Sequence, residues 1–165
     1  MSKTDFFKVN AQKRQDQLIK LSKTNYLLIF GFGKDGEQGY NFRKYYDHEP
    51  SEKEVKTDTE ALINSIVDEN ILKNFKWNGV PVYLSQENQL NFKATYDLAV
   101  QTQGKTLPVK FKLGEDATGN PMYYTFSELS DFADFYTKAV AHVISILNEG
   151  WKEKDSINYQ NLKGE

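Results

Sequence analysis

The stretch Phe75-Lys76-Trp77-Asn78-Gly79-Val80-Pro81-Val82-Tyr83-Leu84-Ser85-Gln86-Glu87-Asn88-Gln89-Leu90 places two short β-forming segments around Asn-Gly and then runs into a serine-capped helix. Asn78-Gly79 supplies the two positive φ angles that a type I′ turn needs, so residues 75–77 and 80–84 are expected to pair as a tight hairpin. Pro81 has no N–H to give to a ladder, which puts its strand at an edge or that position outward. Ser85 caps a helix expected to reach about Gln103, where Gly104 takes the left-handed conformation that ends it. Leu90, Ala94 and Leu98 form one stripe of that helix, and Phe92, Tyr96 and Val100 a neighbouring one. A helix apolar on more than one side is expected to sit between two layers.

Downstream, residues 107–113 and 122–126 read as a second hairpin joined by the turn-forming run 114–121. Ser127 then opens a long helix in which Phe132, Tyr136, Ala139, Val140, Val143, Ile144, Leu147 and Trp151 keep helical spacing. Beyond Lys154 the chain turns polar and a loose tail is expected. Upstream, Ser51 and Glu54 have the S-x-x-E spacing of a capping box and start a helix to about Lys73, with Val55, Leu62, Ile63, Ile66, Val67 and Ile71 on its buried face. Residues 25–32 and 40–46 read as strands. Residues 4–22 read as a helix with a thin apolar stripe, Phe7, Ala11, Leu18 and Leu21, which is either a surface helix or an arm that orders against a partner. The expected class is α+β: two β-hairpins or one small antiparallel sheet packed with three to four helices, plus an N-terminal helical arm. The expected organisation is a basic arm over 1–24, a strand pair with a glycine loop over 25–48, a main α+β domain over 49–159 and a tail over 160–165.

The 165 residues are 39% hydrophobic and 14% aromatic, with 10 Tyr and 11 Phe, so rings rather than aliphatic side chains must fill much of the core. A compact domain of this length buries roughly 70% of its unfolded surface. Cysteine is absent, which excludes disulfides, thiolate metal sites and a cysteine nucleophile. No apolar run has signal-peptide or membrane-spanning length, so the expectation is a protein neither secreted nor in a membrane. The net charge is −2, but Lys3, Lys8, Lys13, Arg14, Lys20 and Lys23 face only Asp5 and Asp16 in the first 24 residues, a basic arm on an acidic body. No aromatic-interleaved basic patch accompanies it, and nucleic acid is not the expected partner.

Gly31-Phe32-Gly33-Lys34-Asp35-Gly36 spells G-x-G-x-x-G, but a dinucleotide site needs a helix next, and alternating aromatics follow instead. These glycines are expected to form a wide hairpin loop. His48 and His142 lie far apart with no metal-ligand spacing, and no activated-serine motif occurs. Asp131 and Asp134 share a helix face and complement the helix dipole. No catalytic residue, cofactor or metal is expected. Trp77 and Tyr83, flanking a hairpin with an open edge, and Phe7, Leu18 and Leu21 in the arm are the candidate protein-contact residues. Core packing is the competing reading for Trp77, because a hairpin must bury one face.

Lys76-Trp77-Asn78-Gly79-Val80-Pro81-Val82-Tyr83-Leu84-Ser85 followed by Glu87-Asn88-Gln89-Leu90-Asn91 resembles a domain of unknown function found in tailed-bacteriophage and prophage structural, tail-associated proteins. Pro108-Val109-Lys110-Phe111, residues 126–135 and Asn148-Glu149-Gly150-Trp151-Lys152-Glu153-Lys154 resemble its later blocks in the same order. The resemblance implies a non-enzymatic virion component of the tail, collar or neck. Its partners would be other phage structural proteins and further copies of itself, and it would pass through the host cytoplasm before assembly. The family has no established catalytic residues to carry over. An assembly chaperone, a host-factor or glycan binder, and a small hydrolase whose carboxylates meet only in the fold are the rival readings.

Overall fold

The computed structural model describes residues 5–164 and shows an α+β fold. It divides into two compact units: the chain up to Ser65 with the segment from Trp151 onward, and Ile66–Gly150.

The first unit is built on a four-stranded antiparallel sheet in the order β1-β4-β3-β2. The strands are β1 (Phe7–Asn10), β2 (Gln17–Lys20), β3 (Tyr26–Asp35) and β4 (Gln38–Tyr46). β3 and β4 form the central hairpin, with Tyr26 opposite Tyr46 and Asp35 opposite Gln38. The glycines that were expected to make a wide loop lie mostly in strand. A register shift falls between Phe30 and Gly33, and the reversal needs only Gly36 and Glu37.

The helix expected over residues 4–22 is corrected by the structure: the described part forms β1 and β2, and Thr4, like the rest of the arm before Asp5, lies outside the described residues. A central hairpin has two open edges whose N–H and C=O groups need partners. β1 satisfies one by pairing Phe7 with Arg43 and Val9 with Asn41, and β2 satisfies the other by pairing Leu18 with Leu28. A helix with so thin a stripe offers little burial in competition.

Helix α1 (Glu52–Lys73) begins as the capping box predicts, with Ser51 Oγ accepting from the Glu54 N–H at 3.2 Å. Val55, Thr59, Leu62 and Ile63 are its buried residues. It is tied to β4 through Asp58, which accepts from the Tyr46 hydroxyl at 2.6 Å and from Lys44 at 2.8 Å. The expected loose tail is corrected too. Asn158 caps a short helix α4 (Tyr159–Lys163; its label anticipates α2 and α3 below), and this helix buries Leu162 and packs on β2. A single apolar residue is enough to dock one turn but too little to show periodicity.

In the second unit β5 (Phe75–Trp77) and β6 (Val80–Val82) form the predicted hairpin, with φ of 49° at Asn78 and 78° at Gly79. Helix α2 (Gln86–Gln101) follows its Ser85 cap and ends two residues before the expected Gln103. The chain then enters the left-handed region at Gln103 and Gly104, and the Gly104 N–H returns to the Ala99 carbonyl at 2.8 Å. β7 (Val109–Glu115) and β8 (Pro121–Phe126) form the second hairpin, and α3 (Leu129–Asp155) follows. The hairpins meet where the Tyr83 N–H donates to the Leu113 carbonyl at 2.7 Å. Gly114 makes that approach feasible, because a Cβ there would strike the Pro81 carbonyl. Phe75, Trp77, Phe92, Phe126, Phe132 and Phe135 fill the core, as the composition implies. Phe126 and Phe132 stack at 4.7 Å, and Phe92 meets Phe135 edge-on at 5.1 Å.

Gly114→Ala is expected to destabilise by about 1–3 kcal/mol, since backbone must move to admit the methyl group. Gly33→Ala should cost less: its obstacle is the ring end of Tyr40, which can swing away. Urea unfolding of the two variants checks the order.

Candidate functional site

Of the five residues singled out for contact, the structure leaves three on the surface. Phe7 is 41% exposed and stacks on Tyr45 at 5.7 Å, Leu21 follows β2, and Tyr83 stands beside a cleft of about 590 Å³ lined by Asn88, Lys112 and Gly114. The other two are core. Leu18 is buried against the sheet, and Trp77 is 3% exposed with its Nε1–H donating to Asp134 at 2.9 Å. The hairpin buries the face that carries Trp77, so the core reading of this residue holds and it is removed from the contact set.

A larger apolar surface lies on α2. Phe92 and Ala99 point into the core and Tyr96 is partly covered, but Val100, the last residue of their expected stripe, is 47% exposed. The second stripe has no layer over it. Leu90 is 68% and Leu98 50% exposed, and Ala94 between them is exposed as well. The expectation that α2 sits between two layers is therefore corrected: this unit supplies one. Leu90 also lines a groove of about 400 Å³ with Leu84, Tyr136, Val140, Val143 and Ile144, and Ile144 is 52% exposed. Scattered exposed leucines are ordinary, but a contiguous stripe continued by a groove is the pattern of an interaction surface. The only charged residue lining the groove among the described ones is Lys93, which pairs with Asp97 one turn on.

Signals for this site were present in the i, i+4, i+8 spacing of Leu90, Ala94 and Leu98. What local sequence does not carry is whether the chain has anything left with which to cover it.

The titratable clusters are occupied by structural work. Asp116 accepts from the Thr118 hydroxyl, from the Thr118 and Asn120 backbone N–H groups and from the Asn120 amide, and these bonds hold its carboxyl down to about 2. Burial and the bond to Asp58 push the Tyr46 phenol up. Asp134 is held below its ordinary value chiefly by the Trp77 indole and then by Lys138. His142 packs 5.2 Å from Phe75 with Nε2 3.2 Å from the Asn70 carbonyl oxygen, a partly buried structural residue. Among the described residues, no group of three His, Asp or Glu is arranged to hold a metal ion, and no helix is long and apolar enough to cross a membrane.

His48 is the exposed exception in its geometry. Nδ1 lies 2.8 Å from Asp47 and Nε2 2.9 Å from Glu54, so the Glu54 side chain engages the imidazole, and of the expected capping box only the Ser51 half is formed. The bonds to Asp47 and then Glu54 raise the His48 pKa above its ordinary 6.5. A raised folded value means the stabilising contribution is complete below the unfolded pKa and is lost as pH rises through the folded one. An NMR titration should find the His48 midpoint above 6.5, and Glu54→Gln should move it down; a midpoint unaffected by the substitution would show that the Glu54 bond is not formed in solution.

No family model, curated protein or solved structure matches the chain.

Proposed function

We propose that this chain is a non-enzymatic structural or adaptor protein of a bacteriophage particle, in the tail, collar or neck region, working through protein–protein contacts and as a homo-oligomer. The resemblance of residues 76–91, 108–111, 126–135 and 148–154 to a family of tail-associated proteins supports the phage setting. The observation that carries the contact role is the uncovered stripe Leu90, Ala94 and Leu98 on α2.

Its geometry favours a second copy as the occupant. Two α2 helices set antiparallel about a two-fold axis at Ala94 bring Leu90 of each against Leu98 of the other, with the small alanines letting the helices approach. The same axis sets Lys93 of each beside Asp97 of the other, so charges that pair within one helix can also pair across the seam. Such a seam alone is small beside the about 1,200–2,000 Å² of a stable interface, so the pairing is concentration-dependent unless the assembly holds many copies together. The groove with Val140 and Ile144 adjoins the seam at Leu90 and widens it.

Sedimentation of the full-length chain is expected to show reversible self-association, and Ala94→Glu, an exposed helix position, is expected to abolish it by setting two carboxylates at the axis. If both proteins sediment as monomers up to about millimolar concentration, the α2 pairing is overturned. Mass analysis of purified particles addresses the phage role separately: peptides of this chain are expected in the virion, and their absence would favour an assembly chaperone.

A further inference from the structure

A second candidate site lies in the first unit, and its chemistry is the opposite of the apolar stripe. Along β4 the side chains alternate, so Gly39, Asn41 and Arg43 share one face of the sheet and Tyr40, Phe42 and Lys44 the other. Gly39 lies directly against the Ala11 carbonyl, leaving no room for a Cβ, and the Ala11 N–H donates to the Gly39 carbonyl at 3.0 Å. The chain leaving β1 therefore passes over the face that carries Asn41 and Arg43. There Asn10, Ala11, Gln12, Lys13, Gln15 and Arg43 line a cleft of about 430 Å³.

Asn41 lies two residues from Gly39 and two from Arg43 on this face, fully buried. Its Oδ1 accepts from Arg43 Nε at 3.1 Å, and its Nδ2 has no partner. Exchanging the amide oxygen and nitrogen does not remove the problem, because it would aim two donors at each other. Arg43 is as underused as Asn41. The guanidinium makes this one hydrogen bond and has no carboxylate partner among the described residues, and neither has Lys13. Arg14, next to Lys13, shows the contrasting state: it is held by both Asp16 and Glu153.

A guanidinium with free donors and an unpaired ammonium line one cleft, and both lack the same thing, a group rich in acceptor oxygens. We propose that this cleft binds an oxyanion, a carboxylate or a phosphate, against Arg43 and Lys13, with the Asn41 side-chain carbonyl oxygen holding the Arg43 guanidinium in place from below. The carboxamides of Asn10, Gln12 and Gln15 supply neutral contacts at the rim.

The test is an NMR titration of the full-length chain at constant ionic strength with sodium phosphate, sodium acetate and, as the control, sodium chloride. Saturable shifts are expected at the Arg43 Nε–H and at the Asn41 side-chain amide with phosphate or acetate, at about millimolar affinity, and not with chloride. Stronger binding of phosphate assigns a phosphate ester as the natural group, and stronger binding of acetate a carboxylate. Arg43→Gln is expected to weaken binding about tenfold or more, and so is Lys13→Gln, which sits in a surface segment and keeps the test open if the first variant does not fold. Shifts that fail to saturate, that chloride reproduces, or that both folded variants retain at full affinity would overturn the proposal.

Discussion

The indole of Trp77 anchors the second unit, and the positions of its other elements follow from how that ring is held. Phe126 and Phe135 meet it at 5.4 and 5.5 Å and Tyr124 meets it edge-on at 4.8 Å, so β8 and α3 both close on one side chain. An indole N–H buried without an acceptor would cost about 1–3 kcal/mol. Asp134 removes that cost from the rim of α3, where its carboxylate also takes Lys138, and thereby ties β5 to the start of the helix. With β5 fixed, the Asn78-Gly79 turn leaves β6 one register, and Tyr83 reaches Leu113 of the second hairpin. Ser85 then starts α2 in a direction that turns Phe92 and Ala99 inward. Leu90, Ala94 and Leu98 face out for the same reason, so the exposed stripe is a consequence of the core and not a defect in it.

This dependence also separates what the sequence shows from what it hides. Features carried by a few neighbouring residues are legible: the type I′ turn from Asn78-Gly79, the caps at Ser51 and Ser85 and the second hairpin stand where local chemistry puts them, and the long helix α3 follows, beginning two residues beyond Ser127. The first 24 residues are not legible in this way. Phe7, Ala11, Leu18 and Leu21 satisfy a helical period, while Phe7 and Val9 satisfy a strand period equally well. What decides between them is the pair of open edges on a hairpin formed later in the chain, and no window of local sequence contains that information. The glycines at 31–36 deceive for a related reason. Their motif suggests a loop, yet cross-strand pairing with Gly39 and Tyr40 carries the strand through them.

The candidate surfaces divide along the same line. Apolar spacing on α2 shows that two faces are able to bury, but only packing shows that one of them does. Trp77 and Leu90 belong to the same sequence block and are both apolar, and the fold sends one to the centre and the other to the surface. Asn41 gives still less away. It is one amide in an aromatic strand, and that its Nδ2 is buried without a partner becomes visible only in the packed sheet.

An exposed apolar stripe is a hazard unless something covers it, and the surrounding charge bears on what that can be. A net charge of −2 on 165 residues gives little self-repulsion to keep copies apart. Lys93 and Asp97, flanking the stripe, neutralise one another within one helix, and in the proposed pairing would do so again across the two-fold axis. A partner of strong single-sign charge would find no complementary field here, whereas an identical helix finds both its leucines and its ion pair matched. In the proposed pairing, recognition at this surface would rest on shape and apolar area rather than on charge. In the other unit, where the proposed oxyanion cleft lies, Arg43 and Lys13 have no carboxylate partner among the described residues.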